Sequence, residues 1–219
     1  MIVVLLGAPG SGKGTQAKRV AERYGLTHLS TGDIFRAEMA AKTPVGLKAE
    51  TYVKSGQLVP DSIVTEMVAG RMDPAGKYLL DGFPRNLEQA RSFAADLALL
   101  KMTVDLVIYL NLSEAEVIKR LSSRRGCGKC GEVYNLQSLP PKVSGKCDKC
   151  GEAVVQREDD TEATVRRRLL VFKDLTEPLV AYYKAEQLVQ EVSAEGPIDG
   201  VAKDVCAVID GHLAECKKK

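Results

Sequence analysis

The stretch GAPGSGKGT, residues 7–15, sets one lysine among four glycines and two hydroxyls. Glycines let successive backbone N–H groups converge on one point, and a lysine opening a helix adds a positive charge there, a combination suited to a chain of phosphates. The spacing departs from GxxxxGK[ST] by one residue, because Gly14 follows Lys13 and the hydroxyl arrives at Thr15. In YLLDGFPR, residues 78–85, an apolar run ends in Asp81. A carboxylate there stands at the carboxyl edge of a parallel sheet, where open α/β folds bind ligands, and it suits Mg²⁺ held through water. An aspartate before glycine is equally a turn former. A third stretch, CGKCGEVYNLQSLPPKVSGKCDKC, holds two CxxC pairs separated by 16 residues. Cys127, Cys130, Cys147 and Cys150 are expected to bind one Zn²⁺ tetrahedrally; iron is the other metal that this spacing admits. Four protein ligands leave no open position, so the metal is expected to be structural. It would replace a core that a short Gly- and Pro-rich segment could hardly build.

The elements that must position these residues follow from hydrophobic period. Ile2–Leu6 is a continuous apolar, β-branched run, the pattern of a strand buried on both faces. Ala17, Val20, Ala21 and Tyr24 then recur at helical spacing until Gly25. Further strands are expected at 27–29, 78–80, 104–110 and 188–192, with helices between or beside most of them. Strands alternating with helices predict an α/β fold with a parallel sheet covered on both faces. Two segments interrupt that rhythm. Residues 30–59 read as mostly helical around Pro44 and Gly46, and residues 125–160 read as turns and short strands. Residues 162–173 are strongly helical, with Pro178 interrupting or ending the pattern. Arg120 and Arg124 are expected four apart on one face of the helix opening at Ser113.

Composition excludes several classes. The 219 residues hold 31 Lys and Arg against 29 Asp and Glu, so no basic field advertises nucleic acid or membrane. No apolar run reaches the ~18–20 residues of a membrane span. MIVVLLG lacks the basic start of a signal peptide. A cytoplasmic protein is therefore expected, and a reducing compartment favours metal ligation over disulfides. Cys206 and Cys216 read as inert thiols in a C-terminal helix. Lys217, Lys218 and Lys219 read as a frayed, solvated tail.

GAPGSGKGTQA, LSTGDIFR, GQLVPD, LLDGFPR, QA at 89–90, QREDD and ATVRRRL together resemble the adenylate kinase family in its long-lid form. The similarity runs from the first strand to the last helix. It implies a five-stranded parallel P-loop sheet flanked by helices, with a core at 1–29, 60–121 and 161–219. It further implies an AMP-binding insertion at 30–59 and a zinc-ribbon-like lid at 122–160. The implied reaction is reversible phosphoryl transfer, ATP plus AMP giving two ADP, with Mg²⁺ accompanying ATP and Zn²⁺ in the lid. The expected ligands are those nucleotides alone, without nucleic acid or membrane, and the protein is expected to be a monomer.

Residue by residue, the resemblance implies that Gly10, Ser11, Gly12, Lys13, Gly14 and Thr15 cradle the ATP phosphates. Arg120 and Arg124 would hold ATP, and Val133 and Tyr134 would touch its adenine from the lid. A main-chain adenine contact would fall at Ala202, after IDG. Thr31, Arg36, Gln57, Leu58, Val59, Gly82, Phe83, Pro84, Arg85 and Gln89 would bind AMP. Arg157 and Arg168 would bracket the phosphoryl group in flight. Lys13, Asp81, Arg36, Arg85, Arg120, Arg124, Arg157 and Arg168 form the implied catalytic set.

The sequence departs from the family's common residues at Phe35, Asn86 and Glu158, none of which removes a charged catalytic group. Gln89 also completes an N-x-x-Q capping box with Asn86. A general base is unnecessary when the acceptor is already a phosphate anion, and neither His28 nor His212 lies in a motif. Two rival readings remain. Thr31 argues against a UMP or CMP kinase, whose members tend to carry alanine there and have short lids without cysteines. Residues 126–152 hold four lysines, three acids and one aromatic, Tyr134, which is poor equipment for a P-loop ATPase gripping nucleic acid through a zinc ribbon.

Overall fold

The computed structural model describes residues 1–217 of the chain; Lys218 and Lys219, and with them most of the expected tail, lie outside the described residues. Five strands, β1 (Ile2–Gly7), β2 (Thr27–Ser30), β3 (Tyr78–Asp81), β4 (Leu106–Asn111) and β8 (Val189–Ser193), form one parallel sheet in the order β2-β3-β1-β4-β8. All six residues of β1 are buried. Val3 and Leu5 pack into one hydrophobic cluster while Ile2, Val4 and Leu6 pack into another, so the central strand feeds a core on each face. This explains the unbroken apolar run in its sequence. Beneath one face lie α1 (Lys13–Tyr24), α6 (Glu114–Ser122), α7 (Glu162–Val171) and α9 (Ile198–Cys216). Against the other pack α2 (Thr31–Ala40), α3 (Pro44–Ser55), α4 (Asp61–Ala69), α5 (Leu87–Leu99) and α8 (Pro178–Ala185).

The expected strands all form, within a residue or two at their ends. Residues 30–59 supply α2 and α3, capped by Ser30 and Thr43. These helices cross so closely that a side chain starting at Gly46 would collide with the backbone carbonyl of Glu38. The segment read as turns and short strands becomes a separate antiparallel sheet of β5 (Arg124–Cys127), β6 (Val133–Asn135) and β7 (Val154–Val155), in the order β6-β5-β7.

One expectation about the helices needs correction. Arg120 and Arg124 do not share a helix: α6 ends at Ser122, and Arg124 opens β5 opposite Asn135. Ser122 turns its hydroxyl back onto the Lys119 carbonyl and Leu136 N–H bonds the Ser123 carbonyl, so strand pairing takes over from the helix. Of the two readings for Pro178, interruption holds and termination does not. A π-helical stretch, Phe172–Thr176, follows α7, and Pro178 then sits at the first turn of α8, where its missing N–H costs nothing.

Candidate functional site

The carboxyl ends of the parallel strands open into a cleft of about 1050 Å³. Gly10 to Thr15, Thr31, Arg36, Gln57 to Val59, Asp81, Gly82, Pro84, Arg85, Gln89, Arg120, Arg124, Val133, Tyr134, Arg157 and Arg168 all line it. Two expected residues do not. Phe83 is fully buried in the core, edge-on to Phe93 with ring centroids 5.0 Å apart. Ala202 lies in α9, because Ile198, Asp199 and Gly200 begin that helix rather than forming a turn. A turn comes earlier, and Ala194, Gly196, Pro197 and Ile198 reach the cleft from it, with Asp199 and Val201 of α9 beside them.

At the loop end, the Lys13 ammonium donates to the carbonyls of Gly7 at 2.8 Å and Ala8 at 2.9 Å. Burial lowers its pKa to about 8, with Arg85, Arg168 and Arg124 adding repulsion and Asp81 opposing. Asp81 is buried at the end of β3. The imidazole of His28 on β2 lies beside it, Nε2 to Oδ2 at 3.6 Å.

At the far end, Arg85 donates from Nε to the Gly82 carbonyl at 2.6 Å and approaches the Thr31 hydroxyl at 3.4 Å. Asn86 caps α5 by accepting from Gln89 N–H at 2.7 Å. The reciprocal bond of a capping box falls one residue early: Gln89 Oε1 accepts from Arg85 N–H at 2.7 Å. Gln89 Nε2 donates to Asp61 at 2.6 Å, and Asn86 donates to the same carboxylate.

Between the two ends the remaining arginines converge on acids. Arg124 grips Asp160 with two hydrogen bonds, while Arg168 bonds Asp159 at 2.8 Å and Asp160 at 3.3 Å. Burial pushes Asp159 up, but Arg168, Arg124, Arg157 and Arg36 together hold it below the usual carboxylate range. Burial, then the charge of Arg168, lowers Arg85 to about 10, and burial with Arg36 and Arg124 does the same to Arg157. Cations depress one another this way when their counter-charge is incomplete, and a polyphosphate would complete it. Arg120 bonds Glu116 at 3.0 Å and the Ala194 carbonyl at 2.9 Å. Two ion pairs join segments far apart in the chain, Lys18 to Glu132 at 3.5 Å and Lys54 to Glu158 at 3.2 Å. The unusual Glu158 thus meets a lysine of α3.

The four cysteines come together. Their sulfurs lie within 4.8 Å of one another, with Cys127 to Cys150 at 3.5 Å and Cys130 to Cys147 at 3.4 Å. A tetrahedron with metal–sulfur bonds of about 2.3 Å has edges of about 3.8 Å, so the set fits a tetrahedral metal. The two knuckles match. Cys127 and Cys147 each accept at their carbonyl from Gly131 and Gly151 N–H, and their own N–H groups bond the Glu132 and Glu152 carbonyls. Gly131 and Gly151 take φ 71° and 73°, the left-handed turn each knuckle needs. The Tyr134 hydroxyl helps lower the Cys147 thiol to about 6 and accepts from Asp148 N–H at 2.7 Å.

Sequence reasoning overlooked Asp61, Asp159 and Asp160 as the anchors of Gln89 and the arginines, although GQLVPD and QREDD contain them. It also overlooked the 194–198 turn, which Gly196-Pro197 could have signalled.

Comparison with known proteins agrees with this geometry. The family model described as adenylate kinase matches residues 5–188. A protein of Thermodesulfovibrio yellowstonii named adenylate kinase is 46% identical over 96% of this chain and 99% of its own length. Those of Archaeoglobus fulgidus and Thermosipho africanus are 45% and 44% identical, covering 96% and 95% of this chain and 98% and 99% of their own. The matched span takes in the glycine loop, the convergent arginines and both cysteine pairs, and the chain belongs to the adenylate kinase family.

Proposed function

We propose that the chain transfers a phosphoryl group reversibly between ATP and AMP, giving two ADP. The observation carrying this reading is the convergence of Lys13 and six arginines, from seven different segments, on one cleft large enough for two nucleotides. The γ-phosphorus–oxygen bond of ATP breaks while a bond to an AMP phosphate oxygen forms. The acceptor oxygen is already ionised, so no base is needed, and positioning with charge neutralisation is the protein's whole task.

Lys13 would leave the Gly7 and Ala8 carbonyls for the ATP phosphates, joined by the N–H groups of 10–15, Arg120 and Arg124. Thr31, Arg36, residues 57–59, Gly82, Pro84, Arg85 and Gln89 would hold AMP, with Arg157 and Arg168 on the phosphoryl group between. Tyr134, with its hydroxyl committed to the cysteine cluster, would offer only its ring face to the base. Residues 30–59 and 122–160 act as covers over the body formed by 1–29, 60–121 and 161–219, excluding the water that would otherwise hydrolyse ATP. Mg²⁺ fits Asp81, whose carboxylate faces the loop 3.4 Å from where a side chain at Gly14 would begin. It would neutralise phosphate charge. Zn²⁺ fits the four thiolates as a structural ion. Both nucleotides would occupy one chain's cleft, consistent with a monomer, and six cysteines without a disulfide among them suit a reducing cytoplasm.

A coupled assay offering AMP, GMP, CMP and UMP with Mg-ATP tests the reading. AMP should turn over fastest; faster turnover of UMP would overturn the acceptor assignment, and no ADP from any of them would overturn the reaction.

A further inference from the structure

Helix α1 carries a glutamine that phosphate binding does not use. Gln16 follows Thr15, is 3% exposed and lines the cleft. Its Nε2 donates to the carbonyl of Ile198 at 3.0 Å, joining the start of α1 to the start of α9 across 182 residues. Its Oε1 is buried without a hydrogen-bond partner among the described residues. An amide oxygen left so is less stable than an apolar side chain of the same shape, so packing alone does not explain a glutamine here. The amide also has one allowed orientation, because turning it over would set oxygen against the Ile198 oxygen.

The turn that Gln16 holds is fixed at its other end by different groups. Ala194 accepts from Arg120 at 2.9 Å, and its N–H bonds the Asn111 carbonyl at 2.7 Å. Between these anchors Gly196 takes φ 110°, with open space where a side chain would begin. An ion pair of Arg19 with Asp199 spans the same two helices at 2.6 Å, but with side chains 47% and 88% exposed it contributes little. Gln16 is therefore the buried tie between the phosphate loop's helix and the 194–198 turn.

We propose that Gln16 is a positioning residue for the donor nucleotide, setting the distance between the loop that takes the phosphates and the turn that takes the base. The proposal rests on the reading of this cleft as the ATP site. Base and phosphates are joined at fixed reach, so both ends seat together only if the two protein elements are correctly spaced. A ligand without a base should not sense the spacing at all.

The test compares ATP with inorganic tripolyphosphate, which keeps the phosphates and lacks the base. Calorimetry on wild type and Gln16→Met, which keeps the volume and loses the tie, should show ATP binding weakened about tenfold, the equivalent of one net hydrogen bond. Tripolyphosphate should bind unchanged, and the KM for AMP should stay within about twofold. Equal weakening of ATP and tripolyphosphate would mean that Gln16 shapes the loop alone and would overturn the proposal; so would unchanged ATP binding. Should Gln16→Met fail to fold, Gln16→Glu, which sets a carboxylate against the Ile198 oxygen, must give the same split. A wild type that binds both ligands yet makes no ADP would refute the reaction while leaving this comparison decisive.

Discussion

The parallel sheet and the cysteine-bearing segment solve the same problem by different means. Around β1 the sheet buries two large apolar clusters, one on each face. In the 122–160 segment the buried cluster is only Cys127, Tyr134, Cys147 and Val154, while Leu136, Leu139, Val143 and Val155 stay exposed. Burial at roughly 25 cal/mol per Å² can hold the first region together and cannot hold the second. Four thiolates on one ion can, because the binding energy of a structural zinc is folding energy. The lesson is a division of labour. The body gives the phosphate loop a fixed platform, and a metal held by the four cysteines would make the small coreless segment stiff enough to carry Arg124 and Arg157 as one piece.

The seam between the regions is where the comparison breaks most readily. Asp160 has a fully buried side chain and holds both Arg124 of β5 and Arg168 of α7. Asp160→Asn leaves two arginines short of counter-charge and should cost on the order of 3 kcal/mol, typical of a broken buried pair. The loss should be smaller with ATP and AMP bound, since phosphates supply the missing charge; thermal melts with and without nucleotide check this.

On the body's side, Lys13→Ala should lower turnover about 100-fold, as lost phosphate clamps do. It should not lower the melting temperature, because removing a buried ammonium relieves desolvation. The same lysine gives a gentler test. Its pKa in the free protein is lowered to about 8, and bound phosphates must raise it. Binding then favours the protonated form, so kcat/KM for ATP should fall as pH rises through about 8, and the Lys13→Arg enzyme should lose that limb.

The inner strands β1, β3 and β4 were legible because double-sided burial leaves unbroken apolar runs, the half-exposed edge strands β2 and β8 left only short ones, and the cysteine spacing announced a tetrahedral cluster. The loop lysine was legible from the glycines around it, but the arginines were legible as a set only through resemblance, since each alone looks like a surface cation. Arg124 was misread because its spacing from Arg120 continues a helical period past Ser122, and strand pairing with Asn135 overrides a local pattern. Ala202 rested on resemblance alone, and α9, which opens at Ile198 after Pro197, brings its neighbour Val201 to the cleft instead. The acids that hold the arginines left no separate trace, because in sequence a buried Asp160 looks like its exposed neighbour Glu158.

Residue-resolved hydrogen exchange before and after metal removal by a strong chelator, with zinc content and low-temperature turnover measured on the same samples, tests the division of labour directly. About one zinc per chain is expected at the start. After its loss the amides of Cys127, Tyr134 and Val154 should exchange rapidly while those of Val3 to Leu6 stay protected, and substantial turnover should survive. Protection lost in both regions together, or unchanged lid protection in metal-free protein, would contradict the account.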